Sequence, residues 1–305
     1  MNNVIIITGP TASGKSSVSL SLCERVDGEI VSADSMQIYR YMDIGTAKPN
    51  KKELNKVRHH MIDICDIAHN YSVAQYKKAA VDCINDIINR KKIPIITGGT
   101  GLYLDALLYN IDFHKEEKSN RDYFENYLKN NGKDKLYHLL MKRDAAAALS
   151  THPNNTKRVL RYLDILSNYE GTLDEYKKNA LNNSGSFIFS MYILEMPREE
   201  LYLRIEKRVE EMLKAGLVEE VEGILNRGYD TNCNALSAIG YKEIVEYLRG
   251  LCTYEEMVNI LKQNTRNYAK RQITWFKKYK HAKFINPLVY ADVNEIAEYI
   301  KTDIS

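Results

Sequence analysis

The sequence predicts an α/β fold in which a parallel sheet is flanked by helices and interrupted by an all-helical insertion. Three observations predict it. A β-branched run, "NVIIITG" (residues 3–9), leads straight into the glycine-rich "GPTASGKS" (9–16). Apolar runs then alternate with stretches of helical period, as in a parallel sheet wound by crossovers. From 114 to 184 the chain turns polar and helical, with turn signals at "NNGKD", "THPNN", "YEGT" and "NNSGS".

Each element follows from its own pattern. The run at 3–9 does not alternate, so it is a strand buried on both faces. "KSSVSLSLCERV" after it is helical, and "GEIVSADS" (28–35) is a second strand. "SVAQYKKAAVDCINDIINRKK" (72–92) is a helix with an apolar stripe of Val73, Tyr76, Ala80, Cys83, Ile84 and Ile87. "IPIITGGTGLYLDALL" (93–108) is a third strand running into a helix, and "SFIFSMYILEM" (186–196) is a strand that rejoins the sheet. The helical pattern resumes after Pro197 and stops at Gly216, a C-cap residue. Residues 254–279 form a long helix. The expected organisation is a core domain of 1–113 plus 185–305 and an insertion domain of 114–184.

Bulk properties narrow the function less. Of 305 residues, 44% are hydrophobic and 27% charged, ordinary for a soluble globular protein. A net charge of +3 is too mild to indicate nucleic acid by itself. The five cysteines are scattered with no C-x-x-C pair, which argues against a thiolate zinc site and fits a reducing compartment. No apolar run approaches membrane-spanning length. The chain opens on a strand with no signal-peptide pattern. A cytoplasmic monomer with no membrane contact is expected.

The pattern Gly9-x-x-x-x-Gly14-Lys15-Ser16, with a buried strand before it and a helix after it, is a P-loop. Gly9, Pro10, Thr11, Ala12, Ser13, Gly14, Lys15 and Ser16 are expected to wrap a diphosphate or the polyphosphate of a nucleotide. Backbone N–H groups and the helix N-terminus face the anion, and Lys15 neutralises it. The Ser16 hydroxyl is placed to bind Mg2+. The third strand ends in Thr97-Gly98-Gly99-Thr100-Gly101 without the carboxylate that a P-loop ATPase supplies there. The second ends at Asp34, at the edge of the sheet where ligands bind. Asp34 is open to three roles: metal ligand, general base or helix N-cap.

Basic residues cluster in two further places. No acidic residue occurs between Glu256 and Asp292, while Lys262, Arg266, Lys270, Arg271, Lys277, Lys278, Lys280 and Lys283 do, with Tyr268, Trp275 and Tyr279 among them. Such a stretch suits a phosphate backbone. Ala269, Ile273 and Phe276 make its core-facing stripe. Lys157, Arg158 and Arg161 form a second cluster in the insertion, behind an Asn154 or Asn155 cap. In "LYLRIEKRVEEML" simple i,i+4 pairing leaves Arg204 or Arg208 free to meet an anion.

Taken together, "GPTASGKS" (9–16), "SADSMQIYRYMDIGTAKP" (32–49), "PIITGGTGLYLDALL" (94–108), "HPNNTKRVLR" (152–161), "AIGYKE" (238–243) and "TRNYAKRQITWF" (265–276) resemble the tRNA dimethylallyltransferases. "MDIGTAKP" and "AKRQITWF" carry most of the specificity. The resemblance runs from near the start to about residue 285, and the lack of a Cys/His pair after it resembles the bacterial form without a zinc finger. It implies transfer of a dimethylallyl group from dimethylallyl diphosphate to N6 of the adenine just 3′ of the anticodon, in tRNAs reading codons that begin with U. It also implies roles. Asp34 accepts the N6 proton, Thr100 and Arg208 line the diphosphate end, and the P-loop with Mg2+ on Ser16 holds the leaving group. Asp34, Ser35, Met36 and Gln37 meet the target base. Lys157, Arg158, Val159, Leu160 and Arg161 grip the anticodon stem-loop from the insertion, with Arg271 and Gln272 as further contacts. The competing classes are a small-molecule kinase on the same fold, an NTP-dependent RNA switch, and a transferase that prenylates free AMP.

Overall fold

The structure is a computed structural model that describes residues 3–109, 120–181 and 187–304. It divides into two compact units, Met1–Leu104 with Ser186–Ser305, and Asp105–Gly185. The expected junctions at 113/114 and 184/185, and the turn signal "NNSGS", lie outside the described residues.

The first unit is built on a six-stranded, all-parallel sheet in the order β3-β2-β4-β1-β5-β6. Its strands are β1 (Asn3–Thr8), β2 (Gly28–Ser32), β3 (His59–His60), β4 (Ile93–Gly98), β5 (Ile188–Leu194) and β6 (Lys283–Ile285). The four longer ones fall where the apolar runs place them. Two and three residues are too short to show a period, so β3 and β6 escape a pattern reading.

Helices α1 (Lys15–Val26), α2 (Lys51–Lys56), α3 (Val73–Asn89) and α4 (Gly101–Leu108) connect the first strands. Side chains alternate across each strand. Ile5, Ile7, Ile30 and Ile95 therefore pack with Val18, Leu22 and Cys23 of α1 on one face of the sheet. The C-terminal helix (Val293–Ile304) covers the same face with Ile296, Ala297 and Ile300. Helix α3 packs against β2 and β4 and buries Tyr76, Ala80, Ile84 and Ile87, four members of its expected stripe. A buried charge lies at the start of β2. Glu29 is gripped by the Arg90 guanidinium and by His60 Nε2 at 2.8 Å. The Arg90 hydrogen bonds, with His60, hold its carboxyl down at about 2.

The Asp105–Gly185 unit contains α5 (Arg121–Arg143), α6 (Ala145–Leu149), α7 (Thr156–Ser167) and α8 (Leu173–Leu181). Leu136, Leu140, Ala148, Val159, Leu163 and Leu166 form its core. Asn155 caps α7 by accepting from the Arg158 N–H at 3.2 Å. Asp144 joins α6 to the start of α8 by accepting from Ala147 N at 3.0 Å and Leu173 N at 2.8 Å.

After β5 the first unit continues as α9 (Arg198–Lys214), α10 (Leu217–Asn226), α11 (Tyr241–Leu248) and α12 (Tyr254–Phe276), followed by β6 and the C-terminal helix, α13. Gly216, φ 98°, follows α9 in the left-handed conformation expected of a C-terminal glycine. Arg266–Glu206 at 2.6 Å and Lys262–Glu210 at 2.7 Å fix α9 and α12 side by side and antiparallel. Two cations of the acid-free stretch are thus neutralised inside the protein, by acids that belong to a different helix.

Candidate active site

A cavity of about 370 Å³ opens at the carboxyl edge of the sheet, where β1, β2 and β4 end. The P-loop forms one wall. Gly14, φ 90°, precedes α1, and Ala12 takes φ 64°. These left-handed residues turn the backbone so that the first N–H groups of α1 face the cavity rather than a helical partner. The first turn of α1 carries no acidic residue.

Lys15, Asp34 and Arg208 share this cavity. Lys15 is half-buried, and the only hydrogen bond of its ammonium among the described residues goes to Pro10 O at 3.3 Å. Burial, and then the Arg208 charge, pull its ammonium down to about 8, while Asp34 opposes the drop. Burial also lowers the Arg208 guanidinium, again against the pull of Asp34. Arg208 has no hydrogen-bonded partner among the described residues, whereas Arg204 pairs with Glu200 at 3.0 Å. The arginine left free by the helix pattern is therefore Arg208. Two half-buried cations facing one carboxylate are short of negative charge, and a diphosphate would supply it.

Asp34 Oδ1 accepts from Met36 N at 2.9 Å in the turn after β2. No helix begins there, so the N-cap role falls away, and the rest of the carboxylate is free to face the cavity. Thr100 Oγ1 accepts from Ser35 N at 3.0 Å, tying the turn after β4 to the turn that holds Asp34. The Ser16 hydroxyl lines the cavity without a hydrogen-bond partner among the described residues. A hydroxyl beside a phosphate cradle and one carboxylate fits Mg2+, which takes oxygen ligands and leans on substrate phosphates.

Gln272 differs from expectation. Its side chain is buried; Oε1 accepts from Thr11 N at 2.8 Å and Nε2 donates to Gly99 O at 2.9 Å. It braces the P-loop against the turn after β4 instead of reaching for RNA. This explains the Gly-rich turn, since a Cβ on Gly99 would overlap the Gln272 amide and one on Gly101 would overlap the Trp275 indole. Gln37 is similarly committed, donating to Thr46 O at 3.2 Å and Ala47 O at 3.3 Å while accepting from Ser32 Oγ at 2.9 Å. Val159 and Leu160 are core residues of the second unit, so their side chains are not RNA contacts. Lys157 and Arg158 beside them are exposed, as is Arg271, which lies over the Tyr268 ring at 5.8 Å.

Along α9 and α12 the lining changes character. Ile205 and Gln272 lie by the P-loop, Arg208 and Tyr268 follow, and Val209, Met212 and Leu261 close the far end. From Ile205 to Met212 the helix rises roughly 10 Å, so over that length a cationic end grades into an apolar one. Gly45, Thr46 and Ala47 of "MDIGTAKP" supply a further wall. By pattern alone that loop is an ordinary connection, and turn-forming residues are its one local signal.

The chain matches the IPP transferase family over residues 37–279. It belongs to that family. It is 41% identical to a tRNA dimethylallyltransferase of Acetivibrio thermocellus over 303 residues, covering 99% of this chain and 97% of the relative. With the tRNA dimethylallyltransferase of Thermotoga maritima it shares 41% identity, covering 98% and 96%. Among solved structures, a tRNA isopentenylpyrophosphate transferase from Staphylococcus epidermidis superposes with a TM-score of 0.74 at 39% identity, covering 99% of this chain and 98% of that one. A eukaryotic dimethylallyltransferase acting on tRNA superposes with a TM-score of 0.85 at 29% identity, covering 99% and 79%. This member of the IPP transferase family thus has a P-loop-type parallel sheet, as its sequence predicts. No helix among the described residues is long and apolar enough to cross a membrane.

Proposed function

We propose that this IPP transferase moves the dimethylallyl group of dimethylallyl diphosphate to N6 of the adenosine immediately 3′ of the anticodon, in tRNAs reading codons that begin with U. The observation that carries this reading is the half-buried cation pair, Lys15 and Arg208, facing Asp34 in a cavity with an apolar far end. An aromatic amine is a weak nucleophile, so positioning and leaving-group stabilisation supply most of the acceleration.

In the reaction a C–O bond to the donor breaks and a C–N bond to the adenine forms. The N6 proton goes to Asp34, and diphosphate stays in the P-loop with its charge met by Lys15, Arg208 and the N–H groups of α1. Ser16 and the donor phosphates would hold Mg2+, which when bound adds positive charge at the leaving group. Ser35 and Met36 lie beside Asp34 where an extruded base would enter. Lys157, Arg158 and Arg161 serve the anticodon stem-loop from the 114–184 insertion, and Arg271 lies at the cavity.

Transfer of labelled dimethylallyl diphosphate to a tRNA panel tests the proposal. Label is expected only in tRNAs that read U-initial codons, and Asp34→Ala is expected to lower kcat at least 100-fold with folding intact. Transfer to AMP but not tRNA, or full activity in Asp34→Ala, would defeat it.

A further inference from the structure

One carboxylate gathers the backbone of the loop "MDIGTAKP". Glu220, on α10, accepts from three successive backbone N–H groups: Asp43 at 2.9 Å, Ile44 at 2.7 Å and Gly45 at 3.2 Å. The Tyr241 hydroxyl donates to the same carboxylate at 2.7 Å. Three consecutive N–H groups that converge on one point cannot pair with one another. Such a concavity suits an anion, and here the protein fills it with its own.

The consequences reach the cavity. Gly45, Thr46 and Ala47 line it, as do Gly240 and Tyr241 at the start of α11, whereas Glu220 does not. One carboxylate behind the wall therefore joins two wall segments distant in sequence. Gly45 belongs to the same joint, because a Cβ there would run into the Tyr241 ring. Two residues at and beside the loop also take left-handed backbone. Tyr41 and Ala47 adopt φ 67° and 47°, conformations that side-chain-bearing residues avoid. On the cavity side Gln37 holds Thr46 and Ala47, and Gln37 adjoins the turn that carries Asp34.

We propose that Glu220 is a positioning residue for the transfer reaction, a latch that sets the wall of the cavity on the side where the acceptor base enters. This rests on the prenyl-transfer reading given above. The donor's phosphates lie against the P-loop, on residues that the latch does not touch. Loosening the latch therefore acts on the RNA and spares the grip on the donor's phosphates.

The test is Glu220→Gln, which keeps the size of the side chain but removes its charge and one of its two acceptor oxygens. Glu220→Ala serves as the stronger variant. The expected result is a rise of about tenfold in KM for an anticodon stem-loop with kcat within twofold of the parent. Calorimetric affinity for dimethylallyl diphosphate stays unchanged. Amide hydrogen exchange at residues 43–45 accelerates at least tenfold in Glu220→Gln, with the α1 amides unaffected. An unchanged KM for RNA overturns the proposal whatever exchange shows, and so does an equal loss of donor affinity. If the parent transfers no prenyl group, the functional reading fails, and unchanged exchange at 43–45 would separately show that there is no latch.

Discussion

Lys15 shows at the scale of one residue how the cavity is tuned for an anion. Burial and the Arg208 charge bring its ammonium down to about 8, so the free protein is ready to lose that proton just above neutral pH. A bound diphosphate favours the charged form and raises the pKa again. Binding above pH 8 must then take up a proton, and affinity must fall as pH rises, by up to about tenfold per unit until the pKa of the complex is reached. The donor phosphates are fully ionised by that pH and add no opposing slope. Calorimetry with dimethylallyl diphosphate at pH 7 and pH 9, in buffers of different ionisation enthalpy, should show the weakening and the uptake. Lys15→Arg stays charged across this range and should flatten the profile, and an equal slope in both proteins would exclude Lys15 as its source.

At the scale of elements, α12 matters less as a basic surface than as a brace. Its buried Gln272 spans the P-loop at Thr11 and the turn after β4 at Gly99. Gly99→Ala would push the Gln272 amide out of this bridge and cost one or two hydrogen bonds, each worth about 1 kcal/mol. Diphosphate affinity should drop roughly five- to thirtyfold, while the melting temperature moves by no more than a few degrees. An unchanged affinity would show that the P-loop holds its shape without the brace. This also marks what the sequence can say. Strands β1, β2, β4 and β5, helix α3 and the P-loop are legible because period and glycine spacing are local properties. The Ala269-Ile273-Phe276 stripe is legible for the same reason, and all three residues are buried. Gln272 passes for an exposed contact in the sequence because the partners that bury it belong to other segments of the fold. Glu220 is invisible there, since an acidic residue on an amphipathic helix reads as solvated surface until the fold sets three N–H groups against it.

At the scale of the molecule, the proposed function divides the work between the two units, donor in one and RNA on the other. Every residue that lines the cavity belongs to the first unit, which is where the proposal puts the donor and the reacting atoms. The second unit has its own core, with Val159 and Leu160 facing inward and Lys157 and Arg158 exposed on the same helix. The expected RNA role of that helix therefore falls to its charged residues. Lys157→Glu with Arg158→Glu should raise KM for tRNA by ten- to a hundredfold, since each neutralised phosphate adds to affinity and to its dependence on salt. A plot of log KM against log salt should become shallower by about one unit for each phosphate that is no longer neutralised, while kcat at saturating tRNA and affinity for dimethylallyl diphosphate hold. Val159→Ala is the contrasting change. It should open a cavity in the core of the unit and lower its stability by about 1–3 kcal/mol, with the salt slope intact. If instead the charge reversals leave the salt slope unchanged, RNA is held elsewhere, and the exposed Lys270, Arg271, Lys277 and Lys280 of the C-terminal basic stretch become the residues to reverse next.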